Sequence, residues 1–158
     1  AAMAESLNSP ISELEKKIEQ VVVQSKILEK QLITIQQSRA SETARKLMET
    51  AEIEGGIPFI SANLGNADGN FAQAVVDALK GDFEGVVVLG TTDNGKVALV
   101  ASVTESLTDK AQAGKIIQAI APIVGGKGGG KPTQARGAGR KTNKIDEALA
   151  EVQRILVN

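Results

Sequence analysis

The side chains best equipped to do chemistry in this sequence are cations gathered near its end. Between Gly125 and Lys144 stand Lys127, Lys131, Arg136, Arg140, Lys141 and Lys144, with no acid among them, in a chain whose net charge is −1. Residues 1–54 and 55–124 are each mildly acidic, so the positive charge is local. Such a cluster is a candidate site for a polyanion. Solvated loops carry charge runs too, and charge alone leaves both readings open.

The same stretch opens with Gly125, Gly126, Gly128, Gly129 and Gly130, interrupted only by Lys127. A main chain this bare can be approached closely by a ligand and can turn several N–H groups toward one anion. Glycine runs also serve as flexible linkers. Gly125, Gly130 and Lys131 fit the skeleton G-x-x-x-x-G-K of a phosphate-binding loop. The fit fails at Pro132, where a Ser or Thr would hold Mg²⁺, and a helical pattern rather than a strand leads into the glycines. The spacing of a dinucleotide-binding turn is absent as well.

Other chemistries are excluded by composition. The chain has no Cys, His, Trp or Tyr. That removes Ser-His-Asp and Cys-His nucleophilic catalysis, zinc sites built on thiolate or imidazole, and disulfides. Catalysis would have to rest on carboxylates, Lys or a cofactor held by backbone groups. Modules that read unpaired bases stack them on aromatic rings. Here Phe59, Phe71 and Phe83 lie in or beside packed elements and read as core, so RNA would be met mainly through its backbone and shape, with salt-sensitive affinity.

Three stretches must position these groups. Ile11, Leu14, Ile18, Val21, Ser25, Leu28, Leu32 and Ile35 alternate spacings of three and four, an a/d heptad seam with one polar position. Ser9 and Pro10 suit a helix start. The seam fails at Arg39 and Glu42, which predicts a break or turn near 38–41 and a second helix to about Glu52, ended by Gly55-Gly56. A seam this long needs another helix to cover it, from its own chain, from elsewhere in a longer protein, or from a second subunit.

Residues 57–124 read as an α/β unit. Ile57–Ala62 is a short strand with Pro58 at its start, Asn63–Asn70 a turn region, and Phe71–Leu79 a helix. Val86–Leu89 and Val97–Val100 flank Asp93-Asn94-Gly95, the preferred chemistry for a tight hairpin. Both strands are apolar on successive residues, so both faces of their sheet should be covered. Ile116, Ile117, Ile120, Ile123 and Val124 form a helix stripe that Pro122 ends or kinks. Beyond the glycines, 133–140 is a strand or loop. Asn143 then opens a last helix with the face Ile145, Leu149, Val152 and Leu156. The expected fold is α+β: long N-terminal helices forming a coiled-coil-like stalk over 1–54, then a small globular domain over 55–158 with a mixed sheet covered by helices. No apolar run approaches the ~20 residues of a membrane span and no secretory signal is visible. A soluble, cytoplasmic protein is the default expectation, and the start at Ala1 without Met reads as a piece of a longer chain.

With these residues in view, Ile123-Val124-Gly125-Gly126-Lys127-Gly128-Gly129-Gly130-Lys131-Pro132 resembles the glycine-rich block of the C-terminal region of bacterial-type alanyl-tRNA synthetases. The order of strands, hairpin, helix, glycine block and terminal helix is similar to the DHHA1-type domain found there and on DHH-family phosphoesterases. The resemblance covers about residues 40–158. It implies a non-catalytic module of an alanine–tRNA ligase that docks on the outer corner of tRNA and helps aminoacylation and editing share one tRNA. The implied partners are tRNA, tRNA-Ala in particular, and the rest of the synthetase; the seam itself leaves open a homodimer through the helical segment. Lys127, Lys131, Arg136, Arg140, Lys141, Lys144 and the five glycines would form the RNA surface. Relatives usually carry a Gln where this chain has Arg136, which adds charge at that point. Two alternatives stand beside this: the substrate-side domain of a DHH-family phosphoesterase, which lacks here any Asp-His-His element, and a purely structural oligomerisation module.

Overall fold

A computed structural model describes residues 2–157, and side chains over residues 13–156. The chain divides into one unit up to Gln36 and a second from Gln37 onward. The first is helical and belongs to α1 (Ala2–Glu49). Along it Leu14, Ile18, Val21, Leu28, Leu32 and Ile35 are each more than half exposed, from 55% to 62%. Val22, Val23, Ile27 and Ile33 widen this apolar surface. The side chain of Ile11, the first residue of the expected seam, lies outside the described residues.

Helix α1 does not break near 38–41 as the failing heptad suggests; it continues to Glu49. Residues 37–49 hold no Gly or Pro to interrupt it. What changes is the buried side. Ala40 and Ala44 are almost fully buried, joined by the half-buried Leu47 and Met48, while Ser38 and Ser41 stay exposed. The stripe has rotated by one residue, about 100° around the axis. Glu42 and Lys46 pair at 3.2 Å on the exposed side, and the Arg39 guanidinium lies 5.7 Å from the centroid of the Phe71 ring.

The second unit is built on a six-stranded mixed sheet in the order β1-β2-β3-β4-β6-β5. Its strands are β1 (Glu52–Glu54), β2 (Ile57–Asn66), β3 (Val86–Asp93), β4 (Lys96–Val103), β5 (Lys127–Gly130) and β6 (Gln134–Gly139). Gly55-Gly56, expected as a helix stop, instead makes the turn between β1 and β2, with the helix ending earlier, at Glu49. Strand β2 also runs on to Asn66, into the stretch expected as a turn. The β3–β4 hairpin lies where its turn residues place it: Asn94 at φ 50° and Gly95 at φ 76° adopt the left-handed backbone such a turn demands.

Helices cover both faces, as the continuous apolar runs require. On one face α2 (Gly69–Lys80), with Asp68 accepting a hydrogen bond from the Phe71 N–H at 2.8 Å, packs with the end of α1 over Ile60, Val87, Leu89 and Val100. On the other, α3 (Ala113–Ile120) and α4 (Ile145–Val157) bury Val86, Val88, Leu99 and Ala135. Pro122 ends α3 by turning it into a tight 3-10 turn, Ala121–Val124, closed by Gly125 at φ 70°. The face Ile145, Leu149, Val152 and Leu156 of α4 is buried. Phe59 is core, and Phe71 and Phe83 are half-buried against the second cluster.

Candidate nucleic-acid interface

The glycine run is neither linker nor open loop. Lys127–Gly130 is the edge strand β5, paired antiparallel with β6 in the register Lys127↔Ala138, Gly128↔Gly137, Gly129↔Arg136 and Gly130↔Ala135. The reason for much of its glycine is internal. A methyl on Gly128 would lie 2.5 Å from Ile117 Cγ2 of α3, and one on Gly126 would fall on the Ala138 carbonyl. Several of the expected anion-binding N–H groups are also already used. Gly125 and Gly126 donate to the carbonyls of Pro122 and Ala121, both at 3.0 Å, and Lys131 donates to Gln134 O at 2.8 Å. Even the start of α3 is satisfied from within, since Ala113 and Gly114 donate to the carbonyls of Pro132 and Lys131 at 2.8 and 3.2 Å.

The cations are a different matter. Cross-strand partners share a face, so Lys127, opposite Ala138, lies on the same face as Arg136, two residues along β6. Such diagonal neighbours stand about 7–8 Å apart. Helix α2 packs on β3 and β4, whereas α3 packs on β4, β5 and β6. On the α2 side, therefore, the β5–β6 pair presents Gln134, Arg136, Ala138 and Lys127 beside α2, and all except the half-buried Gln134 are exposed. Lys131 sits in the turn that joins the two strands. Arg140 and Lys141 follow the far end of β6, their N–H groups both bound to Val124 O at 2.9 Å. Lys144 is set apart by its ion pair with Glu147 at 2.7 Å. Among the described residues, no carboxylate pairs with Lys127, Lys131, Arg136, Arg140 or Lys141.

Arg136 is held in place by residues that linear spacing does not reveal. Its Nε donates to Gln73 Oε1 at 3.2 Å. The same oxygen accepts from Gln134 Nε2 at 2.8 Å, and Lys80 Nζ donates to Gln134 Oε1 at 3.1 Å. Gln73 Nε2 in turn donates to Asp77 at 2.9 Å. Gln73, Asp77 and Lys80 form one stripe of α2 by their spacing of four and three, a signal present in the sequence but empty of meaning until β6 lies alongside. The relay occupies one N–H of the guanidinium and leaves its terminal fork for a partner, a geometry that matches a phosphate. No metal cluster of His, Cys or carboxylates occurs among the described residues, and no helix there is long and apolar enough to cross a membrane.

The sheet order, the glycine edge strand and the two helical layers define a domain type, and the chain belongs to the DHHA1 domain family, which matches residues 56–158. Over 96% of its length it is 36% identical to the alanine–tRNA ligase of Hydrogenovibrio crunogenus and 38% identical to that of Burkholderia mallei. It spans about a fifth of those relatives, 18% of each. In fold it is similar to the C-Ala domain of Aquifex aeolicus alanyl-tRNA synthetase, with a TM-score of 0.64 at 23% identity over 68% of this chain and 98% of that one. What it matches is thus a C-terminal piece of a ligase and not the catalytic domain.

Proposed function

We propose that this chain is a tRNA-binding module of an alanine–tRNA ligase. It docks on the outer corner of the folded tRNA through backbone and shape and helps the ligase's aminoacylation and editing functions use one tRNA in the cytoplasm. It contributes no catalytic group or cofactor. The observation that carries the reading is the uncompensated pair Lys127 and Arg136 on the open face of β5–β6, with Lys131, Arg140 and Lys141 at its ends. Cations that no carboxylate neutralises release phosphate counterions on binding, and their number sets the salt dependence. The test is a titration with folded tRNA and with unstructured RNA of equal length at two salt concentrations. Tighter binding of the folded tRNA, weakening steeply with salt, is expected. Equal binding of both RNAs, or none, would overturn the reading.

The exposed seam supports a second role for the helical unit, association with another helix, for which a second copy is the simplest partner. Apolar residues spaced three and four apart and left in water are the pattern that coiled coils bury. Leu28→Asp places a charge in that seam and should lower the oligomer mass in sedimentation while leaving tRNA affinity within about twofold, a change smaller than ~0.5 kcal/mol. An unchanged mass would remove the assembly role.

A further inference from the structure

Beyond the C-terminal end of α2 lies a cavity of about 340 Å³ with Lys80 on its wall. We propose that it receives an unpaired nucleobase of the same RNA whose backbone lies on Lys127 and Arg136. The inference rests on the tRNA-binding reading and adds to it a site of stated chemistry. The cavity is at the small end of ligand pockets, ~300–1,000 Å³, and so suits one planar group rather than a whole cofactor.

Its walls have the composition a base needs. Val87 and Ser102, from the middle strands of the sheet, make an apolar floor with one hydroxyl in it. Phe83 flanks them, and its ring lies where Gly85 has no side chain: a methyl there would be 2.8 Å from the ring edge. This places one half-buried aromatic ring beside the cavity, the surface on which a base stacks. Lys80 and Glu105 add a donor and an acceptor. Ser102 is the informative residue. It is only 6% exposed, and among the described side-chain hydrogen bonds none involves its hydroxyl. That hydroxyl is not shut off from solvent, as the unpartnered Thr91 hydroxyl is, so what enters the cavity can reach it. As donor or acceptor it can meet the edge of any base.

The cavity also stands in the right place. Across the sheet the register runs Val87↔Ser102↔Gln134, and one row further Leu89↔Val100↔Arg136. Ser102 and Arg136 are therefore diagonal neighbours on one face, about 7–8 Å apart. Lys80, at the cavity, is tied through Gln134 and Gln73 to Arg136, so the cavity and the phosphate fork share one hydrogen-bonded relay. A nucleotide with its phosphate at Arg136 has its base within reach of Ser102.

The test separates base from phosphate by salt. Ser102→Leu projects a side chain into the cavity and should weaken tRNA binding about 5- to 150-fold, the range of one stacked base, with the slope of log affinity against log salt unchanged. Lys127→Ala and Arg136→Ala should instead make that slope shallower. Phe83→Leu, which keeps the bulk and loses the flat ring, repeats the test if thermal unfolding shows Ser102→Leu to be poorly folded. In a second arm the four nucleoside monophosphates are titrated while the backbone amide signals of Ser102, Thr104 and Thr133 are followed by NMR. Shifts from at least one of them, lost in Ser102→Leu, are expected. Unchanged tRNA affinity in both variants, with no amide shifts, would overturn the base site while leaving the tRNA reading intact. Shifts in a protein that does not bind tRNA would overturn the RNA-borne source and make a free nucleotide the occupant.

Discussion

On the side of β5–β6 that meets α3, the strands approach the helix so closely that side chains have been removed. A methyl on Gly137 would stand 2.9 Å from Ile117 Cγ2, and one on Gly139 would stand 2.4 Å from the carbonyl oxygen of Val124. On the side facing α2, the alternate residues of the same two strands are Gln134, Arg136, Ala138, Lys127 and Gly129, and there the helix layer leaves them beside α2 instead of beneath it. Strand alternation turns one short, glycine-rich hairpin into two surfaces, one closed by its own helix and one carrying charge outward. The glycines facing α3 and the cations between them, adjacent in sequence, therefore lie on different surfaces: Gly128, Gly137 and Gly139 set how near α3 and the turn after it can lie, while Lys127 and Arg136 stand on the other side.

That division breaks most visibly if the closed side is crowded. Gly139→Ala forces its methyl against main-chain atoms, which cannot rotate away. It should cost about 2–3 kcal/mol, the upper part of the range for overpacking a core, read as a lower midpoint in urea. A loss under ~0.5 kcal/mol, the usual size of a surface change, would mean that the glycines on this side are not there for packing.

Charge on the open side should act on binding and not on folding. Lys127→Ala and Arg136→Ala are each expected to reduce the salt slope for tRNA by about 1, in the manner of a phosphate contact, with the urea midpoint unmoved. A more searching variant is Gln73→Ala. Gln73 positions Arg136 through the 3.2 Å bond to Nε, so its loss should weaken binding by a few-fold in the wild-type background and by nothing further once Arg136 is Ala. Contacting residues that act together show coupling of about 0.5 kcal/mol or more in such a cycle. Strict additivity would detach Gln73 from the RNA surface.

The parts of this arrangement that could be read from the residues in order are those governed by local chemistry. Asn94-Gly95 announces its hairpin because only certain residues tolerate that backbone, and the last helix shows its face at Ile145, Leu149, Val152 and Leu156 because the period lies within one element. The continuous α1 was hidden for the opposite reason. Its apolar stripe rotates at Ala40 to meet α2, a neighbour that the helix's own spacing cannot show, so a change of partner resembled an interruption. Strand β5 was hidden too, since glycines carry none of the β-branched or aromatic side chains by which strands are recognised. Its existence depends on β6 alongside. The relay behind Arg136 joins residues 61 and 63 positions apart, and only the fold brings them together.

The smallest expected effect decides what RNA touches in the glycine block. Gly129 pairs opposite Arg136, and a methyl added there would meet only the flexible side chain of Gln118, at an ordinary 3.4 Å. Gly129→Ala should therefore change stability by no more than ~0.5 kcal/mol, with any gain coming from a less free unfolded chain. If side chains alone carry the interface, tRNA affinity should also stay within about twofold, again under ~0.5 kcal/mol. If RNA lies against the bare main chain of β5, as the glycine run first suggests, the same methyl intrudes between backbone and phosphate and binding must fall while the fold stays intact. A drop of tenfold, about 1.4 kcal/mol, would return the glycines to the binding surface. An unchanged affinity would take Gly129 off the binding surface.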